Sequence, residues 1–259
     1  MMVNYPIPLS QPENPIRFLE ELSLNAWPAP QTIYDDGWVV RFGEGYTRRA
    51  NSVNPLYPTY SNLDGHIRRC EHWYRARKQD VVFKMTPLVL PKDLDKVLTR
   101  QGYKEEAVSS VQTVDLSQIP APDSSQKVVL THELSDEWLD LFCQLRGIDK
   151  KYTGIMRQIK SRIAPARTFA ILYADQKPAA MGLAVAERGY VGLFDITTHE
   201  DMRNRGLGEQ LTLSLLQWGK ANGATHSYLQ VMNANPPALR LYEKLGYREV
   251  YQYWYRVKS

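Results

Sequence analysis

The chain has 259 residues, 43% of them hydrophobic, which is enough for one large domain or two of ordinary size, each with its own core. Its 32 Lys and Arg against 28 Asp and Glu leave a net charge of +4 without a clustered basic stripe, so no nucleic-acid partner is expected. Cys70 and Cys143 have neither Cys-x-x-Cys spacing nor a nearby His cluster, so no disulfide framework and no metal site is expected; no basic-then-apolar leader and no membrane-length apolar run is present, which reads as a cytoplasmic protein with no membrane partner.

In the first half, Tyr46 to Asn54 is a polar run that reads as a hydrogen-bonded strand surface, with a pocket lining as the second choice. Asp80–Phe83 reads as a strand between two helical stretches. From Ser117 to Gln126 the chain is polar and carries two prolines, which resist continuing a helix or a strand. The boundary is therefore placed there, separating a domain over 1–118 from one over 126–259.

Beyond it, Val128–Leu130 predicts a short strand, and Ser135 opens a helix with Trp138, Leu139, Phe142 and Leu145 on one stripe. Three strands follow, around Phe169–Tyr173, Ala180–Ala186 and Tyr190–Thr197, with turns at 175–178 and 187–189. After Gly206 and Gly208, the residues Leu211, Leu215, Leu216 and Trp218 recur near helical spacing, and Gly219 with Gly223 brackets that helix's end. A strand over Ser227–Met232, a helix from Pro237 to Leu245 capped by Gly246, and an aromatic strand from Val250 to Val257 complete the chain. The order predicts an α/β (α+β) fold, mostly antiparallel, with one βαβ crossover.

An internal repeat is also present. Gly45-Tyr46 matches Gly189-Tyr190, and Gly102-Tyr103-Lys104-Glu105 matches Gly246-Tyr247-Arg248-Glu249, both at a separation of 144 positions. The segments between share a helix, strand, helix reading, so a duplicated fold is expected.

Arg203-Asn204-Arg205-Gly206-Leu207-Gly208 follows a predicted strand and opens a predicted helix. Glycines let the backbone turn tightly there, and the unpaired N–H groups of a first helical turn attract an anion, most naturally a pyrophosphate. Farther on stands Asn235-Pro236-Pro237-Ala238-Leu239-Arg240-Leu241-Tyr242-Glu243-Lys244-Leu245-Gly246-Tyr247. Together the two segments resemble the GCN5-related N-acetyltransferase family, whose pattern is Arg/Gln-x-x-Gly-x-Gly/Ala opening a helix, then Asn, then Leu-Tyr-x-x-x-Gly-Tyr/Phe. The resemblance covers most of 126–259.

It implies acetyl-CoA as co-substrate. Ile196, Thr197 and Thr198 would form the strand edge that hydrogen-bonds the pantetheine arm. Arg203, Asn204, Arg205, Gly206, Leu207, Gly208 and Glu209 would cradle the pyrophosphate, and Asn235 would lie near the pantetheine. Tyr242 matches the residue that commonly protonates the departing thiolate, a role that a phenol of pKa near 10 can fill at neutral pH. Some family members place a glutamate base in the strand before the Asn. Here that position falls on Gln230, which cannot take a proton, and Asp195 is the best substitute; His199, Glu200 and Asp201 could act through water.

The 144-residue offset sets Asn62 at Gly206, Asp64 at Gly208, Pro91 at Asn235 and Leu98 at Tyr242. The first half therefore reads as a degenerate copy, since an aspartate repels phosphate. The expected function is transfer of an acetyl group to a primary amine of a small-molecule or peptide acceptor. A catalytically silent acyl-CoA-binding sensor is the alternative, and a transferase of longer acyl chains is a third reading. Acceptor and oligomeric state stay open, with a lean away from polycationic acceptors.

Overall fold

The structure is a computed structural model and describes residues 13–123 and 126–259. Its first helix, α1 (Pro15–Ala26), begins where the Asn14 side chain accepts a hydrogen bond from the Arg17 N–H at 3.1 Å, with Pro15 at a position whose N–H would go unpaired anyway. Strands β1 (Gln31–Asp35) and β2 (Trp38–Phe42) form a hairpin. They are followed by β3 (Val53–Pro55), α2 (Leu63–Ala76), β4 (Val81–Met85), α3 (Leu94–Arg100) and β5 (Lys104–Asp115). The second half runs β6 (Lys127–Thr131), α4 (Asp136–Arg146), α5 (Thr153–Ser161), β7 (Ala166–Ala174), β8 (Lys177–Glu187) and β9 (Tyr190–Thr198). It ends with α6 (Leu207–Ala221), β10 (His226–Met232), α7 (Pro236–Lys244) and β11 (Arg248–Lys258).

These eleven strands make one sheet in the order β1-β2-β3-β4-β11-β5-β10-β9-β8-β7-β6. All pairs are antiparallel except β3 with β4 and β9 with β10, so the mixed, mostly antiparallel α/β architecture is as predicted. In the middle of the sheet the chain crosses over itself. The last strand of the first half, β5, lies between β10 and β11, and the last strand of the second half, β11, lies between β4 and β5. Several elements fall on the 144-residue offset: α2 and α6 start at Leu63 and Leu207, and β5 and β11 start at Lys104 and Arg248.

Period-2 alternation makes the sheet the middle layer of three. Phe169 and Ile171 on β7, with Met181, Leu183 and Val185 on β8, join a core with residues of α1, α4 and α5. Their neighbours Ala170, Leu172, Ala180 and Ala184 face the other way, into a core built with Leu211, Leu215 and Leu216 of α6. A third core gathers Trp38, Phe83 and Met85 with Ile67 and Tyr74 of α2. Burying an aliphatic or aromatic side chain of this size contributes about 1.5–3 kcal/mol.

Helices α1 and α5 are elements that the sequence reading does not name. Gly219 is a helical residue and not a bracket: α6 runs on to Ala221, and Gly223, at φ +83°, makes the turn. The polar run 46–54 is not a strand surface either, because Arg48–Ala50 is a single 3-10 turn and only its end enters β3.

Candidate active site

Strands β9 and β10 pair in parallel from Tyr190 opposite His226 to Leu193 opposite Leu229, and there the pairing stops. Asp195 takes a left-handed conformation, φ +55°, and the β8–β9 register shifts between Met181 and Leu183. Such a bulge bends its strand. Beyond Leu193, β9 therefore has β8 on one side and no strand on the other, and a gap opens between the ends of two parallel strands.

A cavity of about 740 Å³ fills that gap and is lined by Ile196, Thr197 and Thr198 from β9. The Thr197 hydroxyl is buried and lacks a hydrogen-bond partner among the described residues. Arg203, Asn204, Gly206, Leu207, Gly208 and Glu209 line the same cavity. Gly206, at φ +74°, is the N-cap of α6, a conformation that L side chains avoid. A Cβ on Gly208 would stand 3.2 Å from the Thr198 hydroxyl oxygen, so the strand end and the helix start approach closely. The first-turn N–H groups of α6 have no intrahelical acceptors and carry the positive end of the helix dipole. Of the predicted loop, Arg205 is set apart: its guanidinium pairs with Asp175 at 3.1 Å, and it does not line the cavity. The Glu209 carboxylate is matched by Lys244 at 2.6 Å.

A second cavity, about 320 Å³, shares Arg146, Ile196, Asn235, Ala238 and Tyr242 with the first. Asn235 also caps α7, its side chain accepting from the Ala238 N–H at 3.4 Å. Tyr242 is buried against Tyr247 and belongs to the α6 core, and burial pushes its phenol up to about 12. Its ring packs in that core, and its position borders both cavities.

Asp195 lines the second cavity. Its carboxylate is bonded by the ammonium of Lys160 and lies 3.8 Å from Arg49. Lys160 is wholly buried beneath Trp27, Trp138 and Phe142, and that desolvation pushes its ammonium below the usual lysine range. Gln230 uses both ends of its amide, accepting from Tyr253 at 3.1 Å and donating to Ser23 at 2.9 Å. His199, Glu200 and Asp201 line neither cavity; His199 accepts from the Asp201 N–H at 3.3 Å.

Asp35, His66 and Cys70 have metal-ligand spacing. His66 Nε2 lies 3.0 Å from Asp35, Nδ1 lies 3.1 Å from Thr59, and Arg69 pairs with the same carboxylate. The sequence reading missed Arg146, Arg240, Tyr253 and Tyr255 as lining residues. Arg146 ends α4 and the tyrosines belong to β11, so only the fold brings them in. Thr47, Arg48 and Arg49, by contrast, come from the polar run that it singled out.

The family described as "Probable histone acetyltransferase Rv0428c C-terminal" matches residues 14–256, both halves and not the second alone. The "Uncharacterized N-acetyltransferase YobR" of Bacillus subtilis is 30% identical over 248 residues, 94% of this chain and 98% of that protein. The "Probable histone acetyltransferase Rv0428c" of Mycobacterium tuberculosis is 29% identical over 235 residues, 90% of this chain and 70% of that protein. Among solved structures, a GCN5-related N-acetyltransferase from Kribbella flavida superimposes with a TM-score of 0.70 at 14% identity, over 95% of this chain and 96% of that one. A tandem GNAT protein from the clavulanic acid biosynthesis pathway gives 0.63 at 14% identity, over 96% and 90%. At such identities the structural likeness bears on the fold, which is of the GNAT type.

Proposed function

The chain belongs to the family described as "Probable histone acetyltransferase Rv0428c C-terminal", and on that premise we propose that it transfers an acetyl group from acetyl-CoA to a primary amine by direct attack. The observation that carries this reading is Tyr242 at the junction of two cavities, one running to the α6 N-terminus and the other ending at Asp195. The first cavity takes acetyl-CoA. The N–H groups that open α6 face its pyrophosphate, Arg203 adds charge, and the β9 edge at Ile196–Thr198 receives the pantetheine amides, with Thr197 offering an unsatisfied hydroxyl. Asn235 stands beside the same arm.

The second cavity takes the acceptor. Its amine, as the free base, bonds to the acetyl carbon; the carbon–sulfur bond then breaks and Tyr242 gives its proton to the leaving thiolate. Asp195, at the end of that cavity, takes the proton that the amine sheds as the new bond forms, and Lys160 holds its carboxylate in place. The silent-sensor alternative draws on Gln230, whose amide is fully engaged and cannot act as a base.

The division of labour between halves is part of the proposal, with 126–259 active and 1–118 a degenerate copy. At the α2 start, Asn62 has φ −58° and turns its own side chain onto the Gly65 N–H at 3.1 Å, while Asp64 sits in the first turn. An N-terminus capped by its own chain and carrying a carboxylate is a poor phosphate site. Leu98, at the position of Tyr242, has no proton to give and is fully buried.

Calorimetric titration with acetyl-CoA tests both parts. One site per chain is expected, and it is lost on Gly208→Asp, which sets a Cβ against Thr198 and a charge that repels pyrophosphate. Absence of binding overturns the transferase reading, and two sites overturn the degenerate copy. Thiol release in the presence of an amine panel separates enzyme from sensor.

A further inference from the structure

We infer that the acceptor is a small amine that also carries an anionic group, a carboxylate or a phosphate, and that Arg49 is the main residue holding that group. The inference rests on the proposal that the second cavity receives the acceptor. Three arginines line this cavity, Arg48, Arg49 and Arg146, against the single carboxylate of Asp195. Asp195 is already matched by Lys160. Arg48 is bonded by Glu106, on a partly exposed pair. Arg146 has no carboxylate partner among the described residues, and Arg49 has only the 3.8 Å approach to Asp195. The acceptor end of the site therefore holds more positive charge than it neutralises. A polycationic segment would be repelled there, whereas an anion would be drawn in.

The site is built and not incidental. The Arg49 guanidinium lies 4.0 Å over the ring of Trp27, itself buried, which fixes its plane. The backbone that presents it is tied down from two sides. Arg41, buried, donates to the Arg49 carbonyl at 2.6 Å and to that of Trp27, and Asn51 bonds Gly43, Gly45 and Thr47 through both ends of its amide. In the same cavity the Tyr255 hydroxyl is buried beside that of Tyr253, so this part of the wall is phenolic and carries no second carboxylate. A volume of about 320 Å³ falls in the small-molecule range.

The test is acetylation of matched acceptors by the full chain at saturating acetyl-CoA, read as thiol release. The probes are free L-amino acids with their carboxamides, O-phosphoethanolamine with ethanolamine, spermidine, and a lysine-rich peptide. At least one anionic member is expected to exceed its uncharged partner by tenfold or more in kcat/KM. A carboxylate winner and a phosphate winner both support the inference and tell the two sources apart. In Arg49→Met the preference falls towards one, through KM, and Arg49→Lys restores part of it, while acetyl-CoA affinity measured by calorimetry stays that of the parent. Spermidine or the peptide as best acceptor, no acid surpassing its partner, or a preference unchanged in Arg49→Met would overturn it. Loss of acetyl-CoA binding in the parent protein would instead overturn the transferase reading, and this inference with it.

Discussion

The ammonium of Lys160, brought from α5 with no solvent exposure, bonds the carboxylate of Asp195 at the bulge of β9. The pair anchors the bend that opens the gap between β9 and β10. Removing one partner strands a buried charge, at a cost of about 3–5 kcal/mol, whereas replacing both is far milder. Lys160→Met and Asp195→Asn should each lower stability by about that amount, and the double variant should recover most of it in urea unfolding. Because burial lowers the Lys160 pKa in the folded state, the unfolded chain holds that proton more tightly. Stability of the parent relative to the double variant therefore rises with pH until the unfolded lysine titrates, near about 10.4. Additive single losses, or a flat pH dependence of the difference, would refute this account.

Tyr242→Phe keeps the ring that packs on Tyr247 and deletes only the proposed acid. Acetyl-CoA affinity should stay within about twofold while turnover falls by roughly 10²–10⁴-fold, the usual worth of a positioned acid. With its phenol pushed up to about 12, the residue remains protonated through the alkaline range in which assays are run. No loss of turnover with an apparent pKa near 10 should then arise from it. A variant as fast as the parent would show that Tyr242 is a core residue alone.

Thr197→Val separates stability from binding by sign. The hydroxyl is buried with no hydrogen-bond partner among the described residues, and exchanging it for a methyl relieves that desolvation, so the protein without acetyl-CoA should melt no lower and gain up to about 1 kcal/mol. If acetyl-CoA supplies the missing partner, its affinity should drop by about 1 kcal/mol, or roughly fivefold in Kd. Thermal unfolding and calorimetry on the same samples check the pair of effects. Loss of stability would mean the hydroxyl is satisfied in solution.

What the sequence discloses about this site is what local chemistry controls. Gly206 must be left-handed and Gly208 must admit Thr198, so both leave a mark in the sequence, whereas Tyr242 is marked only by its place in the Leu-Tyr-x-x-x-Gly-Tyr segment that carries the family resemblance. The nearly continuous apolar runs of β7 to β9 are equally plain, because these strands are covered on both faces, and Gly189, at positive φ, marks the turn between β8 and β9. Lys160 and Arg49 could not be found this way. Their meaning comes from Trp27 and Asp195, which lie far off in the chain and meet only through α1 and the shared sheet. Helix α1 itself is weakly marked, and its Glu20 is buried only because Lys84 and Tyr251 arrive from β4 and β11 to bond it.

The crossed strands predict how the two halves behave when cut apart. In the whole chain β10 takes β5 as its outer neighbour, and β11 is flanked by β4 and β5, so a fragment of 126–259 loses every partner of β11 and one edge of β10. It also loses α1 and Trp27, which close the core over Lys160. Unpaired strand edges of that length invite self-association. Fragment 126–259 expressed alone should therefore be aggregated or unable to bind acetyl-CoA, while co-expression with 1–118 should return a one-to-one complex with the parent's affinity. The competing outcome is specific: β11 could swing beside β10 and complete the sheet within the half. A monomeric 126–259 that binds acetyl-CoA as tightly as the full chain would establish that rearrangement, and it would make the two halves separable domains whose strand exchange is dispensable to the site.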